Sequence, residues 1–127
     1  MNSSASAQGA QRRRSVGRSG EDRAAKWYIE HGYELVARNW RCREGEIDLV
    51  ARHGRLTVFC EVKARSTTAF GTPAEAVGPA KQARLRRLAA CWFAGRPARP
   101  SGWAGGPVRF DIASVLGSEI EVIEGAL

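Results

Sequence analysis

From Gly45 to Arg65 the chain reads GEIDLVARHGRLTVFCEVKAR, and its apolar and polar positions alternate as two antiparallel strands would require. A two-residue turn at His53-Gly54 makes cross-strand partners sum to 107, which sets Asp48 opposite Phe59 and Glu46 opposite Glu61. One face then carries Ile47, Leu49 and Ala51 with Leu56, Val58, Cys60 and Val62, all apolar, and the other carries Glu46, Asp48, Glu61 and Lys63. A slip of one residue would mix the two sets. Val50 and Phe59 are apolar yet fall on the acidic face, which implies that another element covers that side and leaves the acids in a cleft.

The flanking segments supply the covering elements. Ser19 reads as a helix N-cap, with Asp22 in the place of the capping-box acid, and opens a helix from Gly20 to His31 whose apolar stripe is Ala24, Ala25, Tyr28 and Ile29. Glu21 lies on the same stripe, either as a first-turn acid that meets the helix dipole or as a residue aimed into a site. Gly32 ends this helix, and Tyr33 to Trp40 reads as the first strand. Past Arg65, STTAFGTPAEAVGP is a loop beside the hairpin, with a short helical turn at Ala74 to Val77. Pro79 suits the first turn of a second helix that reaches Ala94, with Leu85, Leu88, Ala89 and Trp92 as its core stripe. Lys81 lies on that stripe one turn before Leu85, and Arg84 and Arg87 flank it. Gly95 to Pro107 is a loop. Val108 to Leu116 is a strand with Val108, Phe110 and Ile112 on one face and Arg109 and Asp111 on the other, and Glu119 to Glu124 is the last strand. The expected fold is an α/β domain with a mixed central sheet of about five strands, one helix before the hairpin and one after it.

Length and charge sharpen this picture. At 127 residues the chain suits a single core, placed over residues 19–127 behind a basic tail, 1–18. Lys and Arg number 20 against 13 Asp and Glu, a net of +7, and the acid-free tail holds Arg12, Arg13, Arg14 and Arg18, leaving about +3 on the domain. Such an excess favours a polyanionic partner. The tail has too little apolar surface to fold alone, and is either a phosphate-binding arm or a solvated extension. No apolar run approaches the ~20 residues that span a bilayer and no apolar signal block opens the chain, so a cytoplasmic protein without membrane contact is expected. Cys42, Cys60 and Cys91 have neither disulfide nor zinc spacing and are read as reduced thiols. No P-loop or dinucleotide fingerprint is present.

The acidic face carries the candidate chemistry. Asp48 would lie diagonal to Glu61, with Lys63 two residues further along the same face. Carboxylates this close repel unless a cation sits between them, and hard oxygen ligands on a sheet suit Mg²⁺ or Mn²⁺. A neighbouring lysine can orient water or steady developing negative charge, which together is the equipment of phosphodiester hydrolysis. The same pattern would also arise as the wet face of a half-solvated hairpin, and Glu46 fits either the site or a salt bridge to a nearby arginine.

Four runs in order, GEDRAA, GEIDLVAR, FCEVKAR and RFD, resemble the YraN-like family of small bacterial proteins of uncertain function over roughly residues 17–115. That family is similar in pattern to the PD-(D/E)xK nucleases, whose restriction-endonuclease-like fold includes archaeal Holliday-junction resolvases. The resemblance implies that Asp48 is the motif's first aspartate, Glu61 its second acid, Lys63 its lysine and Glu21 the helical glutamate of the resolvase-like branch. Ile47 stands where the motif has proline. It further implies a restriction-endonuclease-like arrangement and an endonuclease acting on DNA, branched or repair intermediates included. Asp48, Glu61 and Glu21 would hold Mg²⁺ or Mn²⁺, and Lys63 would act on the attacking water. The rival reading is a non-catalytic nucleic-acid-binding module in a repair or processing assembly. Lys81, Arg65, Arg84 and Arg87, with Arg12, Arg13 and Arg14 of the tail, are the candidate nucleic-acid contacts. DNA is the expected partner, and a homodimer is left open.

Overall fold

The computed structural model describes residues 18–65, 78–95 and 106–126. Helix α1 covers residues 18–30 and is followed by strands β1 (Glu34–Cys42), β2 (Gly45–His53) and β3 (Leu56–Arg65), helix α2 (Pro79–Ala94), and strands β4 (Val108–Leu116) and β5 (Glu119–Ile123). The five strands form one sheet in chain order. Every neighbouring pair is antiparallel except β3–β4, which is parallel and is joined through α2. A parallel pair needs such a crossover, because a tight turn cannot return the chain to the same end of the sheet. This five-stranded mixed α/β architecture is the one expected, and it fits the restriction-endonuclease-like arrangement. The tail with Arg12, Arg13 and Arg14, the turn at Ala74 to Val77 and most of the Gly95 to Pro107 loop lie outside the described residues. Among the described residues no helix is long and apolar enough to cross a membrane.

The two helices cover opposite faces of the sheet. Ala24, Ala25 and Tyr28 of α1 pack on Leu49, Ala51, Val58 and Cys60. Leu85, Leu88, Ala89 and Trp92 of α2 pack on Val50 and Phe59, so the covering element demanded by those two apolar residues is α2. Trp92, the largest buried side chain among the described residues, meets Trp40 and Phe59 edge-on at centroid distances of 5.3 and 6.3 Å. Cys42, Cys60 and Cys91 are free thiols, as expected.

Four local expectations are corrected. The hairpin turn is Gly54-Arg55, with His53 paired to Leu56, so partners sum to 109. Gly54 has φ +60° and must therefore take the first turn position, which draws His53 into the strand. A shift of two residues keeps the faces of the register but places Asp48 level with Glu61 instead of Phe59. Ile47 is not on the α1 face with Leu49; it packs under α2 with Trp40 and Phe59, following its β1 partner Trp40. Ser19 is not a cap, since Arg18 and Ser19 are already helical. Ile29 is 58% exposed, because the buried stripe is centred on Gly20, Ala24 and Tyr28, and Ile29 lies about 100° around the helix from Tyr28.

Asp111 of β4 is expected on the polar face, yet it is 1% exposed. It lies under α1, where it accepts hydrogen bonds from Tyr28 Oη (2.7 Å), Arg109 Nε (2.8 Å), Arg109 Nη2 (2.9 Å) and the Gly125 N–H (3.0 Å). Arg109 also donates to Tyr33 Oη at 2.8 Å. This set of bonds ties α1, the following turn and the end of β5 to β4, and a buried carboxylate so paired is stable only while its partners remain. Asp111→Ala should therefore destabilise the fold by about 3–5 kcal/mol, because it strands a half-buried guanidinium and a buried phenol. Urea denaturation with a loss under about 1 kcal/mol would show that the cluster is solvated in solution.

Candidate functional site

The β2–β3 ladder begins only at Leu49–Cys60, although both strands continue past it. On the other side of β2, Arg38 pairs with Leu49 and Trp40 with Ile47. Arg38 reaches α1, where it meets Asp22, while Trp40 lies under α2. Two residues apart in a regular strand would share a face. The alternation changes phase at Asn39, which has φ +51°, the left-handed conformation that asparagine tolerates better than most residues. Ile47 changes face with it. At this rung β2 leaves β3, and the Val62 N–H, lacking a ladder acceptor, donates to Asp48 Oδ2 at 2.8 Å. The divergence opens a cleft of about 240 Å³. Glu46, Asp48, Glu61 and Arg84 line it together with the apolar Ile47, Cys60 and Leu85.

Asp48 and Glu61 are thus brought together by the backbone. Desolvation pushes the Asp48 carboxyl up to about 6 against the opposing effect of the Val62 N–H, and Glu21, Glu61 and Glu46 raise it further. Glu61 Oε1 pairs with Lys81 Nζ at 2.7 Å, whereas its Oε2 is buried and finds no hydrogen-bond partner among the described residues. Lys63 and Lys81 touch, and their surroundings act on them in opposite directions. Desolvation lowers Lys81, but bonds to Glu61 and Lys63 outweigh it and keep the ammonium raised. Contact with Lys81, then desolvation, lowers Lys63 towards the amine.

Glu21 reaches this neighbourhood because Gly20 is buried against β3, where an added Cβ would stand 2.8 Å from Ala64 Cβ. Its Oε1 accepts from Asn39 Nδ2 at 3.1 Å and lies 3.9 Å from Arg38 Nη2, while its charge is close enough to Asp48 to raise that carboxyl. Glu46 pairs with the exposed Arg41 at 3.1 Å and also lines the cleft, so both of its expected surroundings are present. Arg84 borders the cleft, Arg87 pairs with Glu44 at 3.3 Å, and Arg65 ends β3 half-buried. Asn39, Arg38 and Glu44 were missed by sequence reasoning; an asparagine between Arg38 and Trp40 of β1 was the one available signal for the phase change.

Among the described residues no three His, Cys, Asp or Glu side chains come together closely enough to hold a metal ion unaided. Two carboxylates do fit a hydrated divalent cation of the Mg²⁺ type, which commonly takes one or two carboxylates and completes its shell with water and substrate phosphate. The orphaned Glu61 Oε2 beside Asp48 is the fitting donor set, and the cleft has room for several waters and a phosphate.

The raised Asp48 pKa has a definite sign for stability. The folded state keeps the Asp48 proton up to about pH 6, the unfolded state only to about pH 4, so this group's contribution to stability falls as pH rises between those values. In chelator, Asp48→Asn should raise stability by about 1–2 kcal/mol at pH 8, allowing for partial exposure, and by less at pH 5. Denaturation at the two pH values checks this; an equal gain at both, or a loss at pH 8, would mean that the carboxylate is well solvated.

The sequence profile of the uncharacterised protein family UPF0102 matches residues 20–115. A UPF0102 protein of Leifsonia xyli subsp. xyli is 52% identical over 101 residues, covering 80% of this chain and 81% of the relative. Relatives in Parafrankia sp. and Streptomyces griseus are 52% and 51% identical over 100 and 104 residues, covering 79% and 82% of this chain and 80% and 84% of their own. The matched span takes in α1, the splayed hairpin, α2 and nearly all of β4, and the chain belongs to the uncharacterised protein family UPF0102.

Proposed function

We propose that this protein is a divalent-metal-dependent endonuclease that hydrolyses phosphodiester bonds in DNA. The observation that carries the reading is the buried, unpartnered Glu61 Oε2 beside a desolvated Asp48 in an open cleft. Carboxylates in such a place favour a cation over a free phosphate, which they would repel. Asp48 and Glu61 would hold Mg²⁺ or Mn²⁺, which when bound supplies Lewis-acid polarisation of a phosphoryl oxygen and a more acidic water. Lys63, two residues beyond Glu61 on β3 and in contact with Lys81, would orient the attacking water and face the developing phosphoryl charge. Arg84 at the cleft's rim, with Arg65 and Arg87 nearby in sequence to the site's elements, would hold the backbone of the substrate. Glu21 acts as an accessory through Asn39 and Arg38 and orders the β1 side of the cleft.

The second reading, a nucleic-acid-binding module without turnover, draws on the Lys81–Glu61 pair and on the lack of a three-ligand cluster among the described residues. Cleavage of plasmid and branched DNA with Mg²⁺, Mn²⁺ or chelator separates the two. The parent should nick DNA only with metal and should gain melting temperature with Mn²⁺. Asp48→Asn should lose both effects. Lys63→Ala should keep the Mn²⁺-induced rise and lose about 10²–10³-fold in rate. If the parent shows neither cleavage nor metal-induced stabilisation, the binding-module reading takes its place.

A further inference from the structure

Within the reading just given, Lys81 occupies a position that neither metal ligation nor phosphate contact explains as it stands. It comes from the first turn of α2, on the face opposite α1, and reaches down to Glu61. The pair is well shielded, with side chains 22% and 16% exposed. It neutralises one oxygen of the carboxylate and leaves the other bare.

We propose that Lys81 is a resident counter-ion that is exchanged for the divalent cation, and that the freed ammonium then binds a phosphate of the nucleic acid. A divalent ion on Oε2 and an ammonium on Oε1 would share one carboxylate and repel each other, with Lys63 adding to the crowding on the same side. The lysine has somewhere to go. Its stem is long and its helix turn is at the surface, with Pro79 and Ala80 exposed beside it. No acidic residue occupies the first turn of α2 and no side chain caps it, while Arg84 follows one turn later at the rim of the cleft. A phosphate arriving over the cleft therefore meets a released ammonium and a guanidinium on one helix edge. The consequence is a reciprocal coupling in which metal binding strengthens nucleic-acid binding and the reverse, with Lys81 as the moving part. It also keeps Glu61 neutralised when no metal is present.

The test uses the full-length parent, Lys81→Met and Lys81→Gln, the last keeping a hydrogen-bond donor for Glu61 without the charge. Mn²⁺ binding without DNA is measured by titration calorimetry, and duplex affinity is measured against salt in Ca²⁺ and in chelator. Both variants should bind Mn²⁺ about fivefold more tightly or better, since the competing cation is gone. In Ca²⁺ the slope of log affinity against log salt should be shallower than the parent's by about 0.9, the share of one phosphate contact, while in chelator the slopes should coincide. Unchanged or weaker Mn²⁺ binding in both variants, or an equal slope loss with and without metal, overturns the exchange and makes Lys81 a fixed part of the site or a constant phosphate contact. Absence of Mn²⁺ binding in the parent and in both variants removes the nuclease reading itself, a result distinguishable from Mn²⁺ binding that ignores Lys81.

Discussion

The hydrogen bond from the Val62 N–H to Asp48 Oδ2 replaces a rung of the sheet with a side chain, and the site depends on that replacement. A backbone donor withdrawn from water must be satisfied, and where β2 turns away from β3 a carboxylate accepts from it. The bond anchors Asp48 at the point where the strands part, level with Glu61. It also takes the carboxylate out of water, so burial outweighs the stabilising N–H and lifts the pKa to about 6. One contact thus closes the ladder's last donor and leaves an acid that gains from a cation.

The divergence has its own cause one strand away. Asn39 adopts φ +51°, the side-chain alternation of β1 changes phase there, and Ile47 follows its partner Trp40 to the α2 side. The apolar contact of Ile47 and Trp40 beneath Leu85, Leu88 and Trp92 supports the twisted segment through burial, and the same Asn39 holds Glu21 in place from the other face. Strain at one residue is carried by packing on both sides of the sheet, a common arrangement where backbone geometry serves a site.

Charge is divided between the two faces. Under α1, Asp111 is matched on both oxygens by Arg109, Tyr28 and a backbone N–H, so it is a structural carboxylate. Under α2, Glu61 is matched on one oxygen only. The two acids differ in what their neighbours leave undone: Asp111 is satisfied on both oxygens, Glu61 on one alone.

Much was legible in the residues alone. The apolar stripe of Leu85, Leu88, Ala89 and Trp92 and the bounds of α2 follow from helical period and from Pro79, and the bounds of β4 follow from alternation, because these are local properties of the chain. The grouping of Asp48, Glu61 and Lys63 on one patch also follows, since any register shift of two residues preserves it. What local pattern could not decide was everything that depends on a second element. Whether Gly54 stood first or second in the turn required the turn's own backbone angles, and the side taken by Ile47 required the left-handed Asn39 on the neighbouring strand. That Ile29 is exposed, and that Asp111 is buried, depended on how α1 docks through the close contact at Gly20. Nor could spacing bring Lys81 to Glu61 across twenty positions of chain, because ion pairs between distant residues are made by packing and not by period. The sequence determined which residues share a face; the tertiary structure decided which of their polar atoms are left without a partner, because satisfaction of a buried group is a property of its surroundings.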